Sequence, residues 1–344
     1  MIEALHMATR ADVAKLAGVS ESTVSYALSG VRSIRPETRE RVLKAVAKLN
    51  YHPHFAAGAL AGGKAKALAL HFPGGKYGIA PSVLEYMTGA ANAARERGYH
   101  LILWPNEDTH MSEIQNFCNS GLIGGVILME IRVDDDRVKF LSEAGVPCTL
   151  IGRTNEPDLL KYVDRDFELV SQKAIDYLVE LGHRQIAFMN NERKYKGVKI
   201  GVDTRFQSAI VKYSKKIGVK TTKLVALNEA ASGRNAFIEL RDKHPNVTAL
   251  IGVNDLATIG FVNAANEFGV SIPDELSVIS LNTPDNQVQM AWPPLTTISV
   301  PANQMGRAAA DILIDQLEGV AGLDSQQLWI GDLVARGTTA PARS

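Results

Sequence analysis

The amino-acid sequence predicts a small all-α helix-turn-helix domain followed by a larger α/β core of two lobes, each built on a parallel sheet. Three observations support this prediction. A helical apolar pattern near the N-terminus stops for three residues and resumes, short apolar runs alternate with amphipathic stretches from Ala67 onward, and charge differs between the two parts. Strands that alternate with helices are typical of parallel sheets covered by helices.

The interrupted pattern lies in DVAKLAGVSESTVSYALSG, residues 12–30. Gly18 can end a first helix in the left-handed conformation, and Ser20 can cap a second one. The predicted apolar faces of the two helices are Val13, Leu16 and Ala17, and then Val24, Ala27 and Leu28. Two short helices joined by such a turn form a helix-turn-helix, whose second helix enters the DNA major groove. An ordinary helical hairpin is the alternative.

A third helix follows in RPETRERVLKAVAKLNY, residues 35–51, with Pro36 in its first turn. Its predicted buried stripe is Val42, Leu43, Val46 and Leu49. Residues 1–64 hold nine Lys and Arg against five Asp and Glu, whereas the remaining 280 hold 28 against 32. A basic N-terminal part beside a mildly acidic core suggests that only the former contacts a polyanion.

Several classes of protein are disfavoured by what the sequence does not contain. No apolar run approaches the ~18–20 residues of a membrane-spanning helix, and the N-terminus does not resemble a signal peptide, so we expect a cytoplasmic location. Cys118 and Cys148 have neither disulfide-framework nor metal-ligand spacing. G-x-S-x-G, H-E-x-x-H and Cys/His clusters are absent from the sequence. We therefore expect no enzyme activity, metal or cofactor.

The core shows two series of strands and helices. In the first, the strands are ALALHF, HLILW, GGVILME and PCTLIG, and the helices lie at about 81–97, 111–120 and 134–144. In the second, the helices lie at 168–181, 203–216, 231–241 and 255–268, and the strands are QIAFM, KLVAL, TALIGV and LSVISL. Parallel sheets bind ligands beyond the carboxyl ends of their strands, so a small molecule is expected between the lobes.

The segments DVAKLAGVSESTVSYALSG and TRERVLKAVAKLNYHP resemble the N-terminal domain of the lactose/galactose repressor family of bacterial transcription regulators. The similarity continues along nearly the whole chain, in LGHRQIAF, GVDTRFQSAI, VNDLATIGFVNAANEFGVSIPDELSVIS and PPLTTISVPANQMGRAA. It implies a core like that of periplasmic sugar-binding proteins, with three crossings between lobes. The expected domains are 1–52 for DNA binding, 53–65 as a hinge and 66–340 as the core. Lobe one would comprise about 66–163 plus 294–324, and lobe two 164–293 plus 325–340.

The resemblance also implies which residues contact DNA. Glu21, Ser22 and Tyr26 correspond to positions that contact bases, and a carboxylate at Glu21 can accept from cytosine N4. Tyr26 stands where many members carry arginine, so we expect no guanine contact there. The expected DNA-binding set is Ser20, Glu21, Ser22, Thr23, Ser25, Tyr26, Arg35, Thr38 and Leu60. Leu60 corresponds to a hinge leucine that wedges into the minor groove; a plain flexible linker is the alternative.

The same resemblance implies an effector site. Arg205 corresponds to an arginine that binds ligand hydroxyls or carboxylates, and the expected effector-binding set is Phe72, Asp166, Arg205, Asn254 and Asn282, although Phe72 could equally pack in the core. Asn282 and Gly152 stand where the family often carries aspartates. The resemblance implies a sugar as the effector, and the missing acids leave an acidic sugar, a sugar phosphate or another metabolite open.

These expectations combine into one function and one alternative. The protein is expected to be a ligand-responsive repressor that binds a pseudo-palindromic operator as a homodimer or a tetramer. The alternative is a cytoplasmic small-molecule binding protein or enzyme in which the N-terminal helices serve only for dimerisation.

Overall fold

The computed structural model describes residues 8–29, 32–51, 65–72, 79, 81–105, 111–195, 197–320 and 326–343. The chain divides into two compact units, Met1–Ala65 and Lys66–Ser344. Most of the expected hinge, including Leu60, lies outside the described residues. Within them, no helix is both long enough and apolar enough to cross a membrane.

The N-terminal unit contains three helices, α1 (Arg10–Ala17), α2 (Glu21–Ser29) and α3 (Pro36–Lys48). Thr9 and Asp12 form a capping box at the start of α1, and Gly18 ends that helix with a φ of 65°. The three helices meet at a core around Val13, Val24 and Val42, each with no exposed surface. The predicted break between α1 and α2 is thus confirmed.

Two leucines predicted to be buried in this unit are not. Leu16 and Leu43 are each 45% exposed, whereas Ala14 and Ala45 are buried. In α3 and at the residue directly after it, the buried and half-buried apolar positions are Val42, Ala45, Val46 and Leu49. These follow the i, i+3, i+4, i+7 spacing of one helix face, and Leu43 falls outside it.

Lobe one of the core is a six-stranded parallel sheet in the order β13-β5-β4-β3-β1-β2. Its strands are β1 (Ala67–Phe72), β2 (His100–Pro105), β3 (Gly125–Leu128), β4 (Cys148–Ile151), β5 (Lys161–Arg165) and β13 (Gln326–Trp329). Helices α4 (Pro81–Glu96) and α11 (Ala302–Glu318) cover one face, and α5 (Met111–Asn119) and α6 (Asp136–Glu143) the other.

Lobe two is a six-stranded sheet in the order β14-β12-β11-β10-β6-β9, parallel except for β14. Its strands are β6 (Gln185–Asn190), β9 (Lys220–Val225), β10 (Ala249–Gly252), β11 (Ser277–Ser280), β12 (Thr296–Ile298) and β14 (Leu333–Val334), while β7 (Lys194–Tyr195) and β8 (Val198–Lys199) form a separate hairpin. Helices α7 (Phe167–Glu180) and α8 (Gly201–Ile217) cover one face, and α9 (Ala230–Lys243) and α10 (Asp255–Glu267) the other.

The expected lobe boundaries need two corrections. β12 pairs with β11 and so belongs to the lobe-two sheet, although 294–324 was assigned to lobe one. β13 pairs with β5 and so belongs to the lobe-one sheet, although 325–340 was assigned to lobe two. The chain therefore crosses after β5, after β12 and after β13. Each returning strand is only three or four residues long, too short for its apolar pattern to reveal its sheet.

One strand is less buried than predicted. HLILW was expected to be a buried strand, but β2 lies at the edge of the lobe-one sheet, and Leu103 and Ile102 are 50% and 38% exposed. An edge strand has only one neighbour, so an apolar run does not guarantee that it is covered.

Helices α9 and α10 pack unusually closely because each presents a glycine to the other. A Cβ on Gly260 would overlap the Ala230 carbonyl oxygen, and one on Gly233 would overlap that of Ala257. We expect Gly260→Ala to destabilise the core by about 1–3 kcal/mol, since backbone atoms must move apart. Urea unfolding would measure the loss, with Asn263→Ala, at an exposed site on α10, as the control. Equal stability of both variants would contradict the prediction.

Candidate DNA-binding surface and candidate ligand cleft

The first turn of α2 carries a cluster of hydroxyl side chains. Ser20 Oγ accepts a hydrogen bond from the Thr23 amide at 3.2 Å, which confirms the predicted cap. It is also hydrogen-bonded to Ser22 Oγ at 2.8 Å and to Thr23 Oγ1 at 2.9 Å. Ser20 and Ser22 are exposed, and Thr23 is half-buried. The cluster can donate to phosphate oxygens and to base edges.

Charged groups flank this cluster. Glu21 is exposed and forms an ion pair with Arg10, whose Nε lies 3.3 Å from the carboxylate. Tyr26 is half-buried, and the Arg32 guanidinium carbon lies 5.8 Å from its ring centroid. The other expected DNA-binding residues of this unit are Ser25, which is half-buried, Arg35, which is exposed just before α3, and Thr38, which is half-buried in its first turn.

Tyr26 provides a test of base recognition. We expect Tyr26→Arg to shift the preferred sequence toward guanine at one position of each half-site, because a bidentate arginine–guanine contact gives about 1–3 kcal/mol of discrimination. Selection from randomised duplexes would detect the shift, with Tyr26→Phe as the variant that removes only the hydroxyl. Retention of the original sequence preference by both variants would contradict a role for Tyr26.

The second candidate site is a cleft between the two lobes of the core. Residues just after β3, β4, β6, β10 and β11 and at the end of β5 line it, together with residues near the starts of α4 and α8. The polar lining residues are Ser82, Tyr86, Glu130, Arg153, Asp164, Arg165, Asn191, Arg193, Asp203, Arg205, Asn228, Asn254 and Asn282. The carboxyl ends of both sheets therefore meet at one cavity, as expected for such folds.

Three of the five expected effector-binding residues line this cleft. Arg205 Nη2 donates to the Thr154 carbonyl oxygen at 3.0 Å. Asn254 donates to Ala226 O at 2.9 Å and accepts from Asn191 Nδ2 at 3.2 Å. Asn282 Oδ1 accepts from Arg165 Nη1 at 3.4 Å, and its Nδ2 donates to Ser82 Oγ at 3.3 Å.

The other two expected effector-binding residues lie elsewhere. Phe72 is 3% exposed and packs in the lobe-one core, which agrees with the alternative that it is a packing residue. Asp166 caps α7, where its Oδ1 accepts from the Leu169 amide at 2.9 Å. Neither residue lines the cleft, and an acid directly before a helix has this capping role without any ligand.

Sequence reasoning missed most of the charged lining. Asp164 and Arg165 end β5 and are 5% and 3% exposed. Arg153 follows β4, and its Nη1 donates to Asp164 Oδ2 at 2.8 Å. The sequence did contain one sign of these residues, a pair of opposite charges at the end of the apolar strand YVDR. Charged residues are rarely buried unless they are paired or functional.

Burial and neighbouring charges shift the pKa of Asp164 in opposite directions. Burial raises the pKa of Asp164 to about 6, against the lowering effect of Arg153, the Arg165 amide and the charges of Arg205 and Arg165. Burial also lowers the pKa of Arg165 to about 10. Arg165 Nη2 donates to Leu281 O at 2.8 Å, so this side chain from lobe one reaches the end of a lobe-two strand.

A latch of ionic and backbone contacts joins the lobes beside the cleft. Arg193 of lobe two contacts Glu130 of lobe one at 2.7 Å and Asp203 of its own lobe at 3.0 Å. The Gly201 amide donates to Ile131 O at 2.8 Å, and the Val133 amide to Lys199 O at 3.0 Å. An ion pair and backbone hydrogen bonds therefore connect the two lobes, so the cleft is closed at this edge.

Known proteins place this architecture in context. A model of bacterial regulatory proteins of the lacI family matches residues 9–54, and a model of the periplasmic binding protein-like domain matches residues 175–339. The HTH-type transcriptional regulator AglR of Rhizobium meliloti strain 1021 is 28% identical over 342 residues, which span 96% of this chain and 94% of AglR.

Two solved structures share the fold over nearly the whole chain. The lac repressor dimer bound to operator and the anti-inducer ONPF matches with a TM-score of 0.83 at 23% identity, covering 97% of this chain and 99% of the repressor. The complex of the transcriptional regulator CelR with cellobiose matches with a TM-score of 0.71 at 25% identity, covering 96% and 99%. This chain therefore combines a DNA-binding domain of the lacI family with a periplasmic binding protein-like domain, and it is a DNA-binding transcription regulator rather than an enzyme.

Proposed function

We propose that this protein is a cytoplasmic repressor whose operator affinity is controlled by a small molecule bound in the cleft between the lobes. The observation that carries the proposal is the latched cleft: Arg193–Glu130 and Gly201–Ile131 join lobes that both contribute polar side chains to one cavity. A ligand that favours one arrangement of the lobes shifts the arrangement that binds DNA, because binding at the two sites is thermodynamically linked.

The two kinds of site have separate roles in this proposal. The face of α2 from Ser20 to Tyr26, with Arg35 and Thr38, contacts bases and phosphates, and Leu60 wedges into the minor groove. Arg205, Asn254 and Asn282 contribute to the effector site. The solved relatives support both roles, since one is bound to operator and another to cellobiose.

A pseudo-palindromic operator requires a two-fold dimer, and we propose that edge strand β2 contributes to it. Ile102, Leu103 and Leu122 are exposed beside the half-buried rings of Trp104 and Phe117. A second copy of the chain is the proposed occupant, because an apolar edge strand exposed in one copy is self-complementary about a two-fold axis.

Leu103→Asp should break this dimer. A charge in an apolar contact is costly, so we expect a monomer by analytical ultracentrifugation and operator affinity reduced at least about 100-fold. Ile217→Asp, which alters a comparably exposed apolar residue at the end of α8, is the control. A dimeric Leu103→Asp variant would show that β2 is not in the interface.

The test of the function as a whole is selection of genomic duplexes by the purified protein, followed by fluorescence anisotropy across a salt series and a sugar panel. The expected result is a two-fold symmetric site whose affinity falls with salt and changes with one compound. Binding that shows no preferred sequence would contradict the repressor proposal.

A further inference from the structure

The charged side chains of the cleft do not balance. Four arginines line it, Arg153, Arg165, Arg193 and Arg205, against three acids, Glu130, Asp164 and Asp203. Glu130 and Asp203 both pair with Arg193. Two of the three acids therefore pair with Arg193, and only one acid remains for the other three arginines.

The remaining acid is already engaged. Asp164 accepts from Arg153 Nη1 at 2.8 Å and from the Arg165 amide at 2.8 Å. Arg165 and Arg205 form no ion pair with any carboxylate in the described part of the chain; their guanidinium groups donate to Leu281 O, Asn282 Oδ1 and Thr154 O. Each guanidinium has five N–H donors, so both retain donors for a ligand.

Arg165 is buried in this position and packs against an aromatic ring. It is 3% exposed, and its guanidinium carbon lies 4.8 Å from the centroid of the Phe206 ring. The charge of Asp164 acts on the Arg165 guanidinium without direct contact, and a buried cation that forms no ion pair is costly to maintain. An anionic ligand would offset that cost and would gain charge-assisted hydrogen bonds from an already oriented donor.

A second, independent feature of the lining is a buried amide oxygen that can accept a hydrogen bond from a ligand hydroxyl. Asn191 is 4% exposed, and its Oδ1 accepts no hydrogen bond from any described residue, while its Nδ2 donates to Asn254 Oδ1 at 3.2 Å. A buried acceptor left unpaired is unfavourable. A ligand hydroxyl that donates to this oxygen would remove the cost.

We propose that the effector is an anionic polyhydroxy compound, whose carboxylate or phosphate is held by Arg205 and Arg165 and whose hydroxyl donates to Asn191 Oδ1. This inference rests on the proposed function, since it assigns the chemistry of the ligand in the same cleft. It distinguishes the site from one that recognises a neutral sugar.

The experiment compares neutral sugars with their charged counterparts on the full-length protein. Glucose, galactose and mannose, their uronic acids and their 6-phosphates would be titrated by calorimetry, with inorganic phosphate as a simple anion, and their effects on operator affinity measured. We expect one charged form to bind at least tenfold more tightly than its neutral parent. The uronate and phosphate arms tell the two anion sources apart.

Variants of Arg205 test the origin of the preference. Arg205→Gln should abolish the preference for the charged form, and Arg205→Lys should retain part of it, because lysine keeps the charge but not the planar donor pair. Arg165→Gln is the second variant, and Arg234→Gln, at an exposed site on α9, is the control.

Each outcome decides between the two proposals. A neutral sugar that binds as tightly as its charged forms and changes operator affinity would overturn the anionic effector but leave the repressor function standing. Failure of every anion in the panel, phosphate included, to bind below 10 mM (about 2.7 kcal/mol) would also overturn it. A sequence-specific operator that no ligand affects would instead count against effector control itself.

Discussion

Replacing Arg137 with alanine is expected to destabilise the core by about 3–5 kcal/mol, because the substitution leaves a buried carboxylate without its partner. Asp135 has no exposed surface, and Arg137 is 3% exposed. Arg137 donates from Nε to Asp135 Oδ1 at 2.9 Å and from Nη2 to Oδ2 at 2.6 Å. This is the bidentate geometry in which an ion pair is strongest.

Arg137 also fixes the chain at the edge of the cleft. Its Nη2 donates to Met129 O at 3.3 Å and to Glu130 O at 3.1 Å. Glu130 has a φ of 52°, which is unfavourable for a residue with a side chain, and it provides the lobe-one carboxylate of the latch. His71 Nδ1 accepts from Arg137 Nη1 at 3.2 Å, and burial together with the Arg137 charge lowers the pKa of His71 to about 4. His71 is therefore neutral at pH 7.

The loss should depend on pH in a defined direction. Burial acts to raise the pKa of Asp135, but the Arg137 hydrogen bond and charge outweigh it and hold the pKa below its ordinary value. The stabilisation is therefore present above the unfolded-state pKa of about 3.9 and is lost as pH falls through the lowered pKa. Without Arg137 the buried carboxyl is protonated at a higher pH than in the wild type, so the stability difference between variant and wild type should be smaller at pH 4 than at pH 7.

Urea unfolding at pH 7 and pH 4 would measure both effects. Arg234→Ala, which removes an exposed partner of Glu267, should cost only about 0–1 kcal/mol. Adding Asp135→Asn to Arg137→Ala should recover part of the loss, since the buried charge is then gone. A single variant that costs less than 1 kcal/mol, or a double variant that is no more stable, would contradict the account.

The sequence predicted the secondary-structure elements better than it predicted the contacts between them. The break at Gly18, the cap at Ser20 and the alternation of strands with helices follow from local conformational preferences and apolar spacing, which act within a few residues. The lobe assignments of β12 and β13 depend on pairing with strands far away in sequence, and no local pattern encodes that choice. Leu103 shows the same limit, because its exposure follows from the position of β2 at the sheet edge.

The residues of the candidate ligand cleft likewise differ in how far the sequence predicted them. Arg205, Asn254 and Asn282 were expected because the family resemblance carries ligand-contacting positions onto them, and all three line the cleft. Asp164 and Arg165 carried only the local signal of opposite charges at the end of an apolar strand, because their importance comes from their being placed together with Arg153 and Arg205 from other segments. Asp166 is not among the residues that line the cleft, and its role as the cap of α7 is a local reason for an acid at that position.

Replacing Gly201 with alanine is expected to weaken effector binding at least tenfold with little change in the midpoint of thermal unfolding. A Cβ at this position would lie 2.8 Å from the Ile131 carbonyl oxygen of the opposite lobe and would overlap Arg205 Nη1. The lobes would have to separate and Arg205 to move. Alanine is otherwise a better helix former than glycine, so the helix that starts at Gly201 should not be weakened.

Hydrogen exchange distinguishes this mechanism from a general loss of stability. The Val133 amide, which donates across the lobes to Lys199 O at 3.0 Å, should exchange faster in Gly201→Ala, whereas amides within β10 should keep their protection. Ser208→Ala, at an exposed site on the same helix, is the matched control. If effector affinity and Val133 exchange both stay at their wild-type values, the lobes tolerate an added methyl group at their contact, and closure against Ile131 is not what holds the ligand.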